Sequence, residues 1–212
     1  MANHAPARNL ELKVGCDAAE LARVRDCLLA AGVPLVALGQ VDTYFAAPSG
    51  RLKLRETAPT VGEDEPTVEL IAYARPDCSG PRWSIYHRVP VASADAAVLK
   101  AALLATVGLL IEVTKTRTVG VRGRTRVHLD EVRGLGAFVE LETVMTGQDE
   151  TGADEEVAET AVLLGLDRLL PIPGSYSDLL LAARHDPTDA VNKTDAEGRS
   201  RSDDEHGTED QG

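Results

Sequence analysis

Aromatic residues and cysteines are scarce in this 212-residue sequence, and each scarcity excludes a class of protein. Aromatic residues make up 3% of the chain, which argues against a single-strand nucleic-acid platform, because such platforms stack bases on aromatic rings. The three cysteines, Cys16, Cys27 and Cys78, show no CxxC or Cys/His spacing. An odd number of scattered thiols favours a reducing compartment over a disulfide-linked scaffold.

Long apolar runs are missing as well. No stretch reaches the length of a membrane span, and residues 1–9 lack the apolar core of a secretory signal peptide. We therefore expect a cytoplasmic protein without a membrane partner, acting as a monomer or a homodimer.

Charge is plentiful but unevenly distributed along the chain. The formal net charge is −12, and residues 186–212, with nine acids and three bases, account for half of it. The remaining residues are only mildly acidic, and the apolar fraction of 43% is enough for a buried core. We expect one folded domain over residues 1–185 and a disordered acidic tail over residues 186–212.

Alternating apolar and polar residues predict a strand from Arg8 to Gly15, and Asp17 is placed to cap a helix that ends near Ala31. Similar patterns predict strands at residues 40–47, 51–56, 67–75, 81–91, 109–120, 124–132 and 137–146, and helices at residues 94–107 (capped by Ser93), 154–164 and 175–183. About eight hairpin-connected strands with separate helices indicate an α+β fold, a closed or nearly closed antiparallel eight-stranded β-barrel surrounded by helices.

Six of these strands place charged side chains on one face, since side chains two positions apart point the same way. The stripes are Glu11 and Lys13; Arg51, Lys53 and Arg55; Glu69 and Arg75; Lys115 and Arg117; Arg124, Arg126, His128 and Asp130; and Glu140 and Glu142. A charged stripe on any single strand is explained equally well by a sheet with one solvent-exposed face. Because the amphipathic helices need the apolar face, we expect the charged faces to point into the barrel, where they must be paired, hydrated or bound to a ligand.

The mixture of charges indicates the kind of ligand. Nine bases and five acids lie on these faces. Arginine forks and lysine ammonium groups bind phosphate oxygens, whereas carboxylates bind Mg²⁺ or Mn²⁺ and link it to substrate phosphate. Cations and carboxylates on facing walls are typical of metal-assisted phosphoryl chemistry.

The motif Asn9-Leu10-Glu11-Leu12-Lys13 resembles the ExExK signature that opens CYTH-domain proteins, also called triphosphate tunnel metalloenzymes. That family includes class IV adenylate cyclases, thiamine triphosphatases and inorganic triphosphatases. The resemblance continues through Gly50-Arg51-Leu52-Lys53-Leu54-Arg55, Lys115-Thr116-Arg117, Val127-His128-Leu129-Asp130, residues 134–142 and residues 175–180. It departs from the family pattern at Asn9, where an uncharged amide replaces the first acid and weakens any metal site that depends on it.

The resemblance implies roles for individual residues. Metal ligands for Mg²⁺ or Mn²⁺ are Glu11, Asp130, Glu140 and Glu142. Substrate-binding residues are Lys13, Arg51, Lys53, Arg55, Arg75, Lys115, Arg117, Arg124 and Arg126. Catalytic residues are Glu11, Lys13, Asp130 and Tyr176, with Tyr176 either contacting substrate or anchoring the last helix. For His128 we expect a hydrogen-bonded structural role ahead of acid–base chemistry.

The function we expect is that of a metal-dependent enzyme acting on a small-molecule triphosphate. Our first hypothesis is a class IV adenylate cyclase-like reaction, which converts ATP to cyclic AMP and pyrophosphate. A triphosphatase acting on tripolyphosphate, a nucleoside triphosphate or thiamine triphosphate is the alternative. A polyphosphate- or nucleotide-binding module without turnover is the third, since Asn9 weakens the metal site. Nucleic acid is not an expected partner, because the bases lie on internal strand faces.

Overall fold

Eight strands and four helices make up the computed structural model, which describes residues 7–61, 65–74, 81–145 and 150–185. The strands are β1 (Ala7–Cys16), β2 (Leu35–Phe45), β3 (Arg51–Pro59), β4 (Thr67–Ala74), β5 (Arg82–Val91), β6 (Leu109–Arg122), β7 (Thr125–Val132) and β8 (Gly136–Val144). The helices are α1 (Ala18–Ala30), α2 (Ser93–Thr106), α3 (Glu150–Leu163) and α4 (Tyr176–His185). The predicted acidic tail and Arg75 lie outside the described residues.

The strands close into one antiparallel barrel in the order β1-β5-β4-β3-β2-β6-β7-β8. Three of the pairings join strands that are distant in sequence. β1 pairs with β5 and β8, and β2 pairs with β6 in a ladder that runs from Leu35 opposite Gly120 to Phe45 opposite Leu109. The predicted α+β barrel is confirmed, and closure leaves the inward side chains facing one another across the interior.

The apolar core lies outside the barrel, between its outer face and the helices. α1 and α3 cover the outward side chains of β1, β7 and β8, among them Leu10, Val127 and Leu141, which are all at most 1% exposed. α2 covers Leu54 and Phe45 on β3 and β2. Burial of each such side chain stabilises the fold by roughly 1.5–3 kcal/mol. On β1, β3, β7 and β8 the apolar side is used in this way, so the charged side of these strands points inward.

Helix α4 closes one end of the barrel. Its first residue, Tyr176, packs against Phe138 with ring centroids 5.0 Å apart, in an apolar cluster that also contains Tyr44 and Tyr73. The helix begins with a reciprocal cap, because Asp178 Oδ2 accepts hydrogen bonds of 2.7 Å from both the backbone N–H and the hydroxyl of Ser175. The barrel interior therefore has a closed end at α4 and an open mouth at the opposite end.

Local differences from the sequence prediction occur at the element ends. Asp17 caps α1 as predicted, by accepting from the backbone N–H of Glu20. The predicted cap of α2 is wrong: Ala92 holds the N-cap position, and the hydroxyl of Ser93 donates to the carbonyl of Pro66 instead. No helix in the described ranges is both long enough and apolar enough to span a membrane.

Candidate functional site

The barrel interior holds a cavity of about 350 Å³ that is walled largely by charged side chains. Its ionisable lining residues are Glu11, Lys13, Asp42, Tyr44, Lys53, Arg55, Tyr73, Tyr86, Arg88, Lys115, Arg117, Arg126, His128, Glu140, Glu142 and Tyr176. A larger open depression of about 840 Å³ lies on the outer face of β2, β3 and β6, where small side chains such as Gly39 and Thr116 dominate. Charged groups converge in the interior cavity, so it is the candidate site.

The first cation cluster, Asp42, Lys53 and Arg55, spans the β2–β3 hairpin. Asp42 lies directly opposite Arg55 in the ladder. Its carboxylate accepts two hydrogen bonds from Arg55, each of 2.7 Å, and one of 2.8 Å from Lys53. Lys53 also donates to the hydroxyl of Tyr44 at 3.3 Å. The two-bond contact holds the Arg55 fork in one orientation.

The second cation cluster, Asp130, Lys115 and Arg117, repeats this arrangement on the β6–β7 hairpin. Asp130 lies opposite Arg117 and accepts from its Nε and Nη2 at 2.6 and 2.5 Å, while Lys115 Nζ lies 3.4 Å away. The hydroxyl of Tyr176 on α4 donates to Asp130 at 2.8 Å. Unlike its counterpart in the first cluster, Arg117 also reaches Glu140 at 2.9 Å.

The acidic wall is formed by Glu11 on β1 and by Glu140 and Glu142 on β8. Glu11 lies directly opposite Glu142 in the ladder, and Lys13 lies opposite Glu140 with its Nζ 3.5 Å from Oε1. Arg126 bonds Glu142 at 3.1 Å. The wall thus gathers three carboxylates along two paired strands.

Other polar groups bind the same carboxylates. The hydroxyl of Tyr86 donates to Glu11, and the amide of Asn9 donates to Glu142. His128 lies 3.5 Å from Glu140 and 3.7 Å from Glu142. Burial and the nearby Arg117 lower the pKa of His128, so the ring is neutral near pH 7. The imidazole therefore adds no positive charge to the acidic wall.

Burial and electrostatics shift the ionisation of both cation clusters. Burial lowers the pKa of Lys53 to about 7, and the charge of Arg55 adds to this shift. Burial and Arg117 lower the pKa of Lys115 to about 8. Burial disfavours the charged form of Asp130 too, but Arg117 and Lys115 outweigh it and hold its pKa below the usual range. At pH 7 the Asp130 carboxylate is therefore ionised, Lys53 is near the midpoint of its titration, and Lys115 is mostly protonated.

These features can be set against known proteins. The family model of the CYTH domain matches residues 8–176, most of the described chain. The protein belongs to the CYTH-domain family. No curated protein matches it significantly in sequence.

Solved structures share the CYTH barrel at low sequence identity. The PH1819 protein from Pyrococcus horikoshii superposes with a TM-score of 0.64 at 22% identity, over 82% of this chain and 99% of that one. A Vibrio parahaemolyticus protein, proposed to be an adenylate cyclase, gives 0.57 at 18% identity over 81% and 97%. A Hippeastrum protein for which a dominant triphosphatase activity is described gives 0.54 at 13% identity over 80% and 91%. At these identities the likeness shows the fold alone.

The donor chemistry of the acidic wall fits a hard divalent cation. Within the described residues no three carboxylate, thiol or imidazole side chains already converge as a set of metal ligands. Glu11, Glu140 and Glu142 nevertheless present carboxylate oxygens along one wall, and Oδ1 of Asn9, beside Glu142, is buried without a hydrogen-bond partner in the described structure. Buried oxygen acceptors of this kind suit Mg²⁺ or Mn²⁺.

Most of the residues predicted to form the site meet in the cavity. Glu11, Lys13, Lys53, Arg55, Lys115, Arg117, Arg126, Glu140, Glu142 and Tyr176 all line it. Asp130 is fully buried behind the lining, where it binds three partners, Lys115, Arg117 and Tyr176. Its contacts are those of an anchor for cations, not those of a member of the acidic wall.

Two predicted substrate-binding residues lie elsewhere in the structure. Arg51 forms a 2.7 Å ion pair with Asp178 and so ties α4 to β3. The strand-face prediction fails at Arg124, which precedes β7 in the turn after β6 and binds Glu156 of α3 at 2.9 Å. The alternation of faces does not extend into the turn, and the helix offers a carboxylate outside the barrel. Arg75 is outside the described residues.

Several residues of the cavity were missed in the sequence. Asp42 is the most important, because it organises the first cation cluster, and Tyr44, Tyr86 and Arg88 also line the interior. A signal for Asp42 was present, since Gln40, Asp42 and Tyr44 alternate with Val41 and Thr43. Its significance depends on the pairing of β2 with β3, which places it opposite Arg55.

Proposed function

We propose that this CYTH-domain protein is a divalent-metal-dependent enzyme that hydrolyses a triphosphate substrate at its terminal phosphate. The observation that carries the proposal is the closed-ended cavity in which two cation clusters stand beside an acidic wall. A chain of phosphates matches the cations, and a divalent metal matches the carboxylates.

The phosphates are bound by Arg55 of the first cluster and by Arg117 and Lys115 of the second. Arg55 uses Nε and Nη2 to bind Asp42, and Arg117 uses the same two nitrogens for Asp130. A guanidinium carries five N–H donors, so each fork retains donors for phosphate oxygens while the aspartate fixes its plane. Preorganised donors of this kind need no rearrangement as charge develops in the transition state.

Glu11, Glu140 and Glu142 would hold the metal. When bound there, Mg²⁺ or Mn²⁺ supplies positive charge that neutralises phosphate oxygens. Neighbouring cations keep the acidic wall anionic. Burial alone would raise the pKa of Glu140, but Lys13 and Arg117 hold it well below its usual range. We assign Asp130 to the anchoring of Arg117 and not to the metal.

Three lysines mark the closed end as the place of the terminal phosphate. Lys13 and Lys115 lie over the ring of Tyr176, at 4.0 and 5.0 Å from its centroid, and Lys53 lies between the rings of Tyr44 and Tyr73. The terminal phosphate carries the largest charge of a triphosphate ester and matches the ammonium groups of Lys13 and Lys115. Any group attached to the other end of the triphosphate then points to the open mouth.

Lys53 is the group we propose to take a proton from the attacking water. Its pKa of about 7 leaves a substantial neutral fraction at physiological pH, which a general base requires. It lies at the closed end, beside the proposed position of the terminal phosphate. This placement supports hydrolysis ahead of the adenylate cyclase reaction expected from the sequence, since cyclisation needs its base beside the ribose, toward the mouth.

Product analysis tests the proposal. The purified protein is incubated with ATP, tripolyphosphate or thiamine triphosphate and with Mg²⁺ or Mn²⁺, and the products are resolved by ion-exchange chromatography. We expect orthophosphate and a diphosphate product, lost in Lys53→Met and retained in Lys100→Met, a matched control on the outer surface, where Lys100 pairs with Glu56. Cyclic AMP with pyrophosphate would assign the cyclase reaction instead, and binding without any product would assign a binding module.

A further inference from the structure

Apolar side chains form a strip at the open mouth of the cavity. Leu38, Val119 and Val144 line the cavity at this end. Val36 and Val121, one step further out, are 56% and 55% exposed to solvent. Val36 and Val121 adjoin the apolar lining of the cavity, and contiguous exposed apolar surface commonly marks a binding site.

Apart from Val144 on β8, the residues of the strip lie on the inward faces of two paired strands, β2 and β6. Val36 has the same strand parity as Leu38, and Val121 the same parity as Arg117 and Val119, which face the cavity. Val36 lies directly opposite Val119 in the β2–β6 ladder. We call Val36, Leu38, Val119 and Val121 the apolar lip; it continues the wall of the cavity outward.

On strand β6 the lip begins where the cations end. Along β6 the inward residues are Lys115, Arg117, Val119 and Val121 in that order, so Val121 lies about 20 Å from Lys115 at a strand rise of about 3.3 Å per residue. Arg126 lies opposite Val121, beside the outer end of the lip, and its side chain is 38% exposed. A ligand that follows this wall outward passes from lysine to arginine and then to apolar surface.

We infer that the apolar lip selects a triphosphate that carries an organic group with an apolar face, such as a heterocyclic ring, over inorganic tripolyphosphate. This inference rests on the proposed function and adds the substrate class to it. Because α4 closes the other end, an organic group attached to bound phosphates points to the open mouth, of which the lip forms one side. Packing of a ring on the valine and leucine side chains removes their exposed surface from water.

Calorimetric titration in metal-free buffer tests the inference without turnover. ATP, thiamine triphosphate and tripolyphosphate are titrated into the full chain, into the double variant Val36→Ser/Val121→Ser, and into the control Val98→Ser/Val162→Ser, whose residues are exposed on α2 and α3. The lip residues changed are more than half exposed, so the fold is expected to persist; a thermal melt of each variant checks this. A second variant, Leu38→Ala, probes the inner part of the lip.

The expected result is that at least one organic triphosphate binds the wild-type chain more tightly than tripolyphosphate does. The double variant and Leu38→Ala should each weaken that ligand about tenfold and leave tripolyphosphate unchanged, while the control changes neither. Equal affinity of all three ligands, or equal loss for organic and inorganic ligands in the lip variants, would overturn the inference and leave the proposed function standing. If no triphosphate binds the wild-type chain, the proposed function fails, and the inference fails with it.

Discussion

The two cation clusters share one design and differ in their surroundings. In each, an aspartate on one strand of a hairpin holds an arginine with two hydrogen bonds, and a lysine stands two residues before that arginine. Arg117 of the second cluster also bonds Glu140 on the acidic wall, whereas Arg55 bonds Asp42 on its own hairpin. The second cluster thus connects phosphate-binding groups to the proposed metal ligands.

The difference extends to the lysines. Lys53 has the lower pKa, about 7, and contacts Asp42 at 2.8 Å and Tyr44 at 3.3 Å. Lys115 has a pKa of about 8 and lies over the ring of Tyr176. We therefore propose different roles for two clusters that share one local motif: proton transfer in the first, and coupling of phosphate to metal in the second.

Replacing each arginine in turn should show the largest difference between the two clusters. We expect Arg117→Gln to lower kcat/KM by about 10³-fold and Arg55→Gln by about 10²-fold, because only the first change also releases Glu140. Steady-state kinetics with the best organic triphosphate measures both. Arg124→Gln, outside the cavity, is the matched control and should stay close to wild type. Equal losses at Arg55 and Arg117 would contradict the assigned difference.

The two aspartates should differ in their effect on stability. Asp130→Asn leaves Lys115 buried without its carboxylate partner and leaves Arg117 with Glu140 alone, so we expect it to lower the free energy of unfolding by about 3–5 kcal/mol. Asp42→Asn should cost less, because Lys53 can release its proton at pH 7 and Arg55 is partly accessible to water. Urea unfolding at pH 7 gives both values. A larger loss for Asp42→Asn would reverse the comparison.

The pH dependence of kcat/KM should report the two lysines separately, since this parameter follows the free enzyme. If neutral Lys53 acts as the base, kcat/KM rises with pH through about 7 as Lys53 loses its proton. If protonated Lys115 binds phosphate, kcat/KM falls again above about 8. A kcat/KM that falls as pH rises through 7 would instead make Lys53 a phosphate-binding cation.

The tyrosines should show the smallest effects. Tyr176→Phe removes a hydrogen bond to buried Asp130 and is expected to lower the free energy of unfolding by about 1.5–3 kcal/mol, as for bonds to charged groups. Tyr44→Phe removes weaker contacts, at 3.3 Å to Lys53 and 3.2 Å to Tyr73, and should cost about 1 kcal/mol. Thermal melts of both variants provide the measurement, and the reverse order would show that α4 is not anchored through Asp130.

Much of the barrel could be predicted from the sequence, because alternation is a local signal. The inward positions of Glu11, Lys13 and Lys53 follow directly from strand parity, and so do the eight strands. Pairing between distant strands is not local, and it is this pairing that places Asp42 against Arg55. The prediction for Arg124 was wrong because the alternation of a strand was extended by one residue into the preceding turn, where Arg124 binds Glu156.

The central claim is that the acidic wall binds the metal while the cation clusters bind the triphosphate. The most direct measurement compares wild type with Glu140→Gln/Glu142→Gln, both for metal-dependent turnover and for triphosphate binding in metal-free buffer. We predict that turnover is abolished while metal-free binding is retained or tightened, since two negative charges leave the cavity. Wild-type turnover in the double variant would contradict the claim.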